Sequence, residues 1–404
     1  MSRLTGIPTF AFVPLPPFAG PCCRALAFPI FAMNRPLLRV VFITGAVVLA
    51  AATVLGWRVY AASSRWETLR PAAPSPVGDA APGMDARLAA CAERFHAWPP
   101  DRVALAEFAQ VCHANGQFEP AAAAYRALMT LEPEEARWPH LLAVILAGEG
   151  RLEEALPALR RAAELAPDRV IVWLRLGDAL LKSNLTADAE VAFTTALQHS
   201  PANPYALLGL GRCDLQSDRW TAARAHLQQA VSAHPEFSAA QSLLATVFDR
   251  LGNSESAAVA RSRISRDGHF KEPDDPWSDA LLGYCHDAYA LLVAASAAAA
   301  EGNPNQALPL LRHALHLSPN DPRLHRKLGN TLMQLGDIPG ARAALEKAVA
   351  LAPANDAIQL NLIALLRAAH DPKAAEHAVA RGLAACPYSA GLHYEAGRLA
   401  EEAG

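Results

Sequence analysis

The chain has 404 residues, 52% of them hydrophobic and 19% charged, with a net charge of −3. That apolar content excludes a disordered polymer, and a charge so near neutral excludes the basic face of a nucleic-acid-binding protein. The seven cysteines (Cys22, Cys23, Cys91, Cys112, Cys213, Cys285 and Cys386) show neither CxxC nor zinc spacing and read as isolated thiols.

Residues 1–36 form an apolar, Pro-rich tail without clear periodicity. Met33-Asn34-Arg35 has the form of an anchor's first residues, so translation is expected to start at Met33. Val40 to Trp57, "VVFITGAVVLAAATVLGW", carries no charge and lies between Arg39 and Arg58. At ~1.5 Å rise per residue this run just spans a hydrocarbon core of ~30 Å, which places a transmembrane anchor at residues 37–60. A cleaved signal peptide ending at Val59-Tyr60-Ala61 is the rival. Against it, the run is longer than an h-region of about 7–15 residues, and Arg58 intrudes before the site. Arg3, Arg24, Arg35 and Arg39 precede the run, Arg58, Arg65 and Arg70 follow it, and the first acid is Glu67. The balance favours a cytoplasmic N-terminus. The expected location is a bacterial cytoplasmic membrane, with the rest of the chain outside the cytoplasm. Residues 61–84, with "RPAAPSPVGDAAPG", read as a flexible stalk.

Beyond the stalk the chain is periodic. Pro133, Pro167, Pro201 and Pro235 stand 34 residues apart, as do Pro319, Pro353 and Pro387. Alanines keep step at positions 121, 155, 189, 223, 257, 307, 341 and 375, and glycines at 116, 150, 252, 302 and 336. Trp173, Leu176 and Gly177 fit W-x2-L-G, Ala189 and Phe193 fit A-x3-F, and Pro201 closes the unit. Leu180 departs from the pattern, which prefers Tyr there. On these residues the chain resembles the tetratricopeptide-repeat family from about Asp101 to its end. The resemblance implies an all-α, right-handed solenoid of helical hairpins, preceded by the single transmembrane helix. Units are expected near Arg102, Ala136, Val170, Pro204, Ser238, Ala288, Pro322 and Asp356. Residues 85–264 then hold a capping helix and about five repeats. Residues 265–287 interrupt them, and residues 288–404 hold three repeats and a terminal half-repeat helix. That last helix either closes the array or belongs to a longer one.

No GxSxG, HExxH or P-loop is present, and the 14 histidines are mostly scattered. A non-catalytic protein without metal, cofactor or small-molecule substrate is expected. In the resembled family the first helix of each unit lines a groove that takes a peptide or a partner protein. The corresponding positions are Leu174, Arg175, Asp178 and Lys182; then Tyr205, Leu208, Arg212 and Gln216; then Ser242, Thr246 and Arg250. Apolar and basic groups alternate there, which suits an extended peptide bearing a carboxylate. Arg326, Asn330 and Asn361 fall where chaperone-binding members place part of a carboxylate clamp, but the next unit offers Gly391 and Glu395 instead of cations.

The break contains His269, Asp274, Asp275, Asp279, Cys285 and His286, whose irregular spacing speaks for a linker over a metal site. Trp277 is costly to leave in water and is expected to pack on a helix or in the groove. The reading is a membrane-tethered interaction scaffold. The alternatives are a non-catalytic regulatory or assembly subunit of an envelope-biogenesis enzyme and, more remotely, a piece of a larger repeat-containing enzyme.

Overall fold

The computed structural model describes residues 35–71, 83–264 and 273–403, and all regular secondary structure among them is helical. The chain divides into two compact units, residues 1–64 and 65–404. The N-terminal tail before Arg35, with the expected start at Met33, lies outside the described residues.

Helix α1 runs from Arg35 to Leu69. Its 27 residues from Ile43 to Leu69 are long and apolar enough to cross a membrane. Val47, Val48, Leu55 and Trp57 are all more than half exposed. The helix does not stop at Tyr60. Residues 61–69, expected to begin the stalk, continue it as "AASSRWETL", which contains neither Gly nor Pro; Pro71 follows its end. Residues 72–82 of that stretch lie outside the described residues.

In the second unit Trp66 is buried and meets the ring of Phe95 edge-on at 6.5 Å. Phe95 belongs to α2 (Met84–His96). Five hairpins follow: α3 (Arg102–Ala114) with α4 (Phe118–Leu131), α5 (Arg137–Gly148) with α6 (Leu152–Leu165), α7 (Val170–Lys182) with α8 (Thr186–His199), α9 (Pro204–Gln216) with α10 (Trp220–Ala233), and α11 (Ser238–Arg250) with α12 (Ser254–Ser262). The break holds α13 (Pro276–Asp279) and a 3-10 turn, Ala280–Tyr284. Three more hairpins pair α14 (Ala288–Ala300) with α15 (Pro304–Leu317), α16 (Pro322–Gln334) with α17 (Ile338–Leu351), and α18 (Asp356–Ala368) with α19 (Pro372–Ala385). Helix α20 (Ala390–Ala403) packs on α18 and α19.

The periodic residues have distinct structural tasks. All eight in-register alanines, from Ala121 to Ala375, are fully buried, because only a methyl group fits where paired helices touch. Phe193 inserts between Gly177 and Gly209, and a β-carbon on Gly177 would stand 2.7 Å from its ring. The turn inside each hairpin needs one left-handed residue. Glycine supplies it at 116, 150, 252, 302 and 336, and Asn184, Asp218 and His370 supply it in the remaining three. Each second helix that precedes a periodic proline ends two residues before it, as Leu165 does before Pro167. The carbonyl of that proline is then often held by a side chain six residues on. Trp173 Nε1 donates to Pro167 at 2.7 Å, Gln359 Nε2 to Pro353 at 3.0 Å and His325 Nε2 to Pro319 at 2.9 Å. Five of the eight first helices start on side-chain caps: Asp101, Asn203, Asp287, Asp321 and Asn355 each accept from the backbone of the first turn.

Candidate functional site

The register of α7, α9 and α11 turns one polar-apolar stripe of each helix to a common face. There Leu174, Arg175 and Asp178 meet Tyr205, Leu208 and Arg212 in one cleft of about 450 Å³, walled also by Lys182, Ser242, Leu243 and Pro273. Leu174 and Leu208 are buried and make its floor. Arg212 Nη1 donates to Asp178 Oδ1 at 2.8 Å across one repeat, and the Tyr205 ring meets Phe237 edge-on at 5.2 Å. Three expected positions stay out of this cleft. Gln216 Nε2 donates to Asn184 Oδ1 at 2.8 Å beside the hairpin turn. Thr246 Oγ1 donates to the Ser242 carbonyl, and the Arg250 guanidinium lies 5.3 Å over the Trp220 ring.

The interruption is more than a connector. Residues 273–286 run back along the first helices, from α9 towards α3. Pro273 walls the cleft beside Leu174 and Tyr205. Asp275 is buried and caps α13, accepting from Ser278 N at 3.3 Å and Ser278 Oγ at 2.8 Å. Its Oδ2 also accepts from Nε2 of the fully buried His140 in α5 at 2.8 Å. Arg175 Nη2 approaches the same oxygen at 3.9 Å. Arg175, expected to await a partner's carboxylate, therefore already faces one from its own chain. Trp277 is half-buried, as its apolar area requires, with its ring 5.0 Å from His140 and the Arg169 guanidinium 4.8 Å above it. Leu281 joins the hydrophobic core of the first hairpins. At the far end Asn115 Nδ2 donates to the Tyr284 carbonyl at 2.9 Å, and its Oδ1 accepts from the His286 amide at 2.7 Å. Arg87 lies 5.3 Å over the Tyr284 ring.

Residues His140, Asn115, Arg169 and Arg87 were not among the expected site positions. Nothing in their own local sequence marks them, since their partners are distant in the chain. Beyond the break, Asn361 Nδ2 in α18 donates to Asn330 Oδ1 in α16 at 2.9 Å, so these two amides engage one another. Arg326 is half-buried in α16, beside Lys327. Where a clamp needs cations, Glu395 instead accepts from Arg367 Nη1 at 3.1 Å. Among the described residues no group of three or more His, Cys, Asp or Glu is placed to hold a metal; His269 lies outside them.

Burial pushes the Asp275 carboxyl up, but the His140 hydrogen bond and charge and the Ser278 donors outweigh it and hold it at about 2. Asp279 is raised by burial and by Asp275 and Asp274. His113, beside the Tyr125 hydroxyl at 3.2 Å, is lowered by burial to about 4, with Asp275 acting weakly the other way.

One tetratricopeptide-repeat profile matches residues 146–194, 184–247 and 298–347, and a second matches residues 326–390. Over these residues the chain carries tetratricopeptide repeats. No curated protein matches it. Among solved structures, MamA from Desulfovibrio magneticus RS-1 is 20% identical, over 41% of this chain and 97% of that one, with a TM-score of 0.39. A MamA RS-1 double mutant is also 20% identical, over 40% of this chain and 91% of that one, with a TM-score of 0.38. The APC/C hetero-tetramer Cut9–Hcn1 is 16% identical, over 80% of this chain and 60% of that one, with a TM-score of 0.29. At this level of similarity they say nothing of what this chain binds. The tetratricopeptide-repeat fold is in general a scaffold for protein interaction. In this chain part of the scaffold's inner face is covered by residues 273–286 and part is open.

Proposed function

We propose that the chain is a membrane-tethered, non-catalytic scaffold that holds an extended acidic segment of a partner protein in the open cleft of α7, α9 and α11. The observation that carries this is the cleft itself: Lys182 and Arg212 at its rim, Tyr205 on its wall and an apolar floor of Leu174 and Leu208. Asp178 offsets one of the cations. An entering carboxylate competes for Arg212 and gains a second contact from Lys182, whose side chain is exposed. The Tyr205 ring adds apolar area with a polar tip. The apolar helix from Ile43 onward supports tethering by length and composition. The basic residues before it support a cytoplasmic N-terminus with the repeats on the other side.

Affinity capture with crosslinking from detergent-solubilised membranes tests the binding reading. The Lys182→Ala/Arg212→Ala double variant should lose at least tenfold of the captured partner while keeping its helical content. Full capture by the variant sinks the assignment of the cleft. Alkaline phosphatase and a cytoplasmic fluorescent reporter, each fused after Gly404, test the topology. Signal from the cytoplasmic reporter alone reverses it, and release of the chain by a carbonate wash removes the tether.

A further inference from the structure

Residues 273–286 meet the first helices in the manner of a bound ligand. Their contacts fall into three kinds. A carboxylate, Asp275, is received by His140 and Arg175. An indole, Trp277, stands against the His140 ring and beneath the Arg169 guanidinium. A stretch of backbone at Tyr284 and His286 is held by both ends of the Asn115 amide. None of these contacts depends on the segment's being covalently part of the chain. Each uses a side chain or a peptide group that any protein segment of the same sequence pattern carries. The receiving groups come from the residue that ends α3, from α5, and from α7 with the residue preceding it, so the site is a property of the stacked units.

We propose that the inner face of α3, α5 and α7 is a binding site for protein segments that carry an aspartate two residues before a tryptophan, and that residues 273–286 are its tethered occupant. This rests on the reading of the repeats as a scaffold for protein segments, but it concerns a different stretch of the face from the open cleft. The carboxylate sets orientation, because His140 is fully buried and reaches only one oxygen. Replacing the aspartate leaves that buried imidazole nitrogen without its acceptor. The indole supplies the area: in a T-shaped contact with the imidazole and beneath a guanidinium, it gains dispersion and cation–π attraction together. The asparagine reads only backbone and tolerates any residue. A tethered segment competes at an effective concentration on the order of millimolar. A free segment therefore displaces it only when it binds more tightly or is itself concentrated.

The test uses the full chain in detergent and a fluorescein-labelled synthetic peptide of residues 273–286, read by anisotropy. In the Asp275→Ala/Trp277→Ala variant the tethered segment loses its two side-chain anchors. The peptide should bind this variant at least tenfold more tightly than it binds the wild-type chain. A peptide with asparagine in place of the aspartate, or a further His140→Ala change in the protein, should weaken binding tenfold or more. A further Lys182→Ala change should alter it less than twofold, which separates this site from the open cleft. Failure to bind a variant that keeps wild-type helicity and melting overturns the proposal, as does binding that His140→Ala leaves unchanged. The wild-type chain gives a second arm that needs no variant to fold. At millimolar peptide, hydrogen exchange of the 281–286 amides should rise at least threefold, because the His286 amide leaves Asn115. No rise overturns the proposal.

Discussion

Phe193 fills the space that a side chain on Gly177 would need, its Cε1 and Cζ atoms standing 2.7 Å from where a β-carbon would be. Gly209, in the first helix of the next unit, crowds the same ring. The ring is fully buried and its own rotamer cannot yield. Gly177→Leu should therefore cost about 1–3 kcal/mol in chemical denaturation and loosen both neighbouring units. An unchanged denaturation curve accompanied by loss of partner capture would show that Gly177 serves the ligand instead of the packing.

Arg175 and Arg212 should behave differently, although the repeat register treats them alike. The Arg212–Asp178 pair has both side chains more than a third exposed, and such pairs contribute only about 0–1 kcal/mol. Arg212→Ala should leave the melting curve almost unmoved. Arg175 faces the buried Asp275 as an ion pair at 3.9 Å, beyond hydrogen-bond distance, but the carboxylate is sheltered from water and the attraction is screened less than at the surface. Arg175→Ala should lower stability by about 1 kcal/mol, and the difference should persist at high salt because the carboxylate is sheltered. Equal effects of the two substitutions in urea titrations would contradict this division.

His113 should impose a pH dependence of stability. Burial lowers its folded pKa from an ordinary 6.5 to about 4, so the unfolded chain takes up a proton first as the solution acidifies. The stabilisation is complete above pH 6.5 and is lost as the pH falls from 6.5 to 4. The shift corresponds to about 3 kcal/mol. His113→Gln should lose that part of the slope, visible as the difference between the two proteins' denaturation midpoints from pH 7 to pH 4. Asp275 acts lower still. Its folded value of about 2 lies under the ordinary 3.8, so its stabilisation is present above 3.8 and disappears from there down to 2. Parallel pH profiles for wild type and His113→Gln would refute the assignment.

Three hairpin turns place a side-chain-bearing residue in the left-handed region: Asn184 at φ 59°, Asp218 at φ 57° and His370 at φ 56°. That conformation costs an L-residue roughly 1–2 kcal/mol, with Asn and Asp at the tolerant end. His370→Gly should raise stability by about 0.5–1 kcal/mol, since glycine's greater freedom in the unfolded chain offsets part of the relief. Asn184→Gly should gain less. Thermal melts of the two variants check the order, and a destabilised His370→Gly protein would show that the imidazole makes a contact worth more than the strain.

Much of the hairpin array was legible because it is written locally. A proline every 34 residues, a buried alanine in each unit and a left-handed turn glycine mark the hairpins without knowledge of any tertiary partner. The glycine signal lapses at 184, 218 and 370, where other residues take the same conformation, and alanine and proline carry the phase across. The groove positions follow from helical register, and eight of the eleven on α7, α9 and α11 meet in one cleft. The filling of the groove by residues 273–286 was not legible. His140 and Asp275 are 135 residues apart, and no period, cap or composition links them. Trp277 gave the one hint, since an indole on an irregular stretch needs a surface to cover it. The helix past Tyr60 was missed for the opposite reason: charge interrupts the apolar run but not the helix.

The amide of Asn115 has a consequence for how the molecule acquires its structure. In a linear array each unit contacts only its neighbours, so folding can begin anywhere, the contact order is low and the ends fray independently. Asn115 instead bonds Tyr284 and His286, across 169 and 171 residues. The entropy of closing such a loop grows only slowly with its length, but it must be met before the contact returns anything. The first hairpin is thereby coupled to residues that reach it only after five units have stacked. Opening of α3 should require release of residues 284–286 as well as of its neighbouring helices, so its amides should exchange more slowly than those of an array end without such a tie.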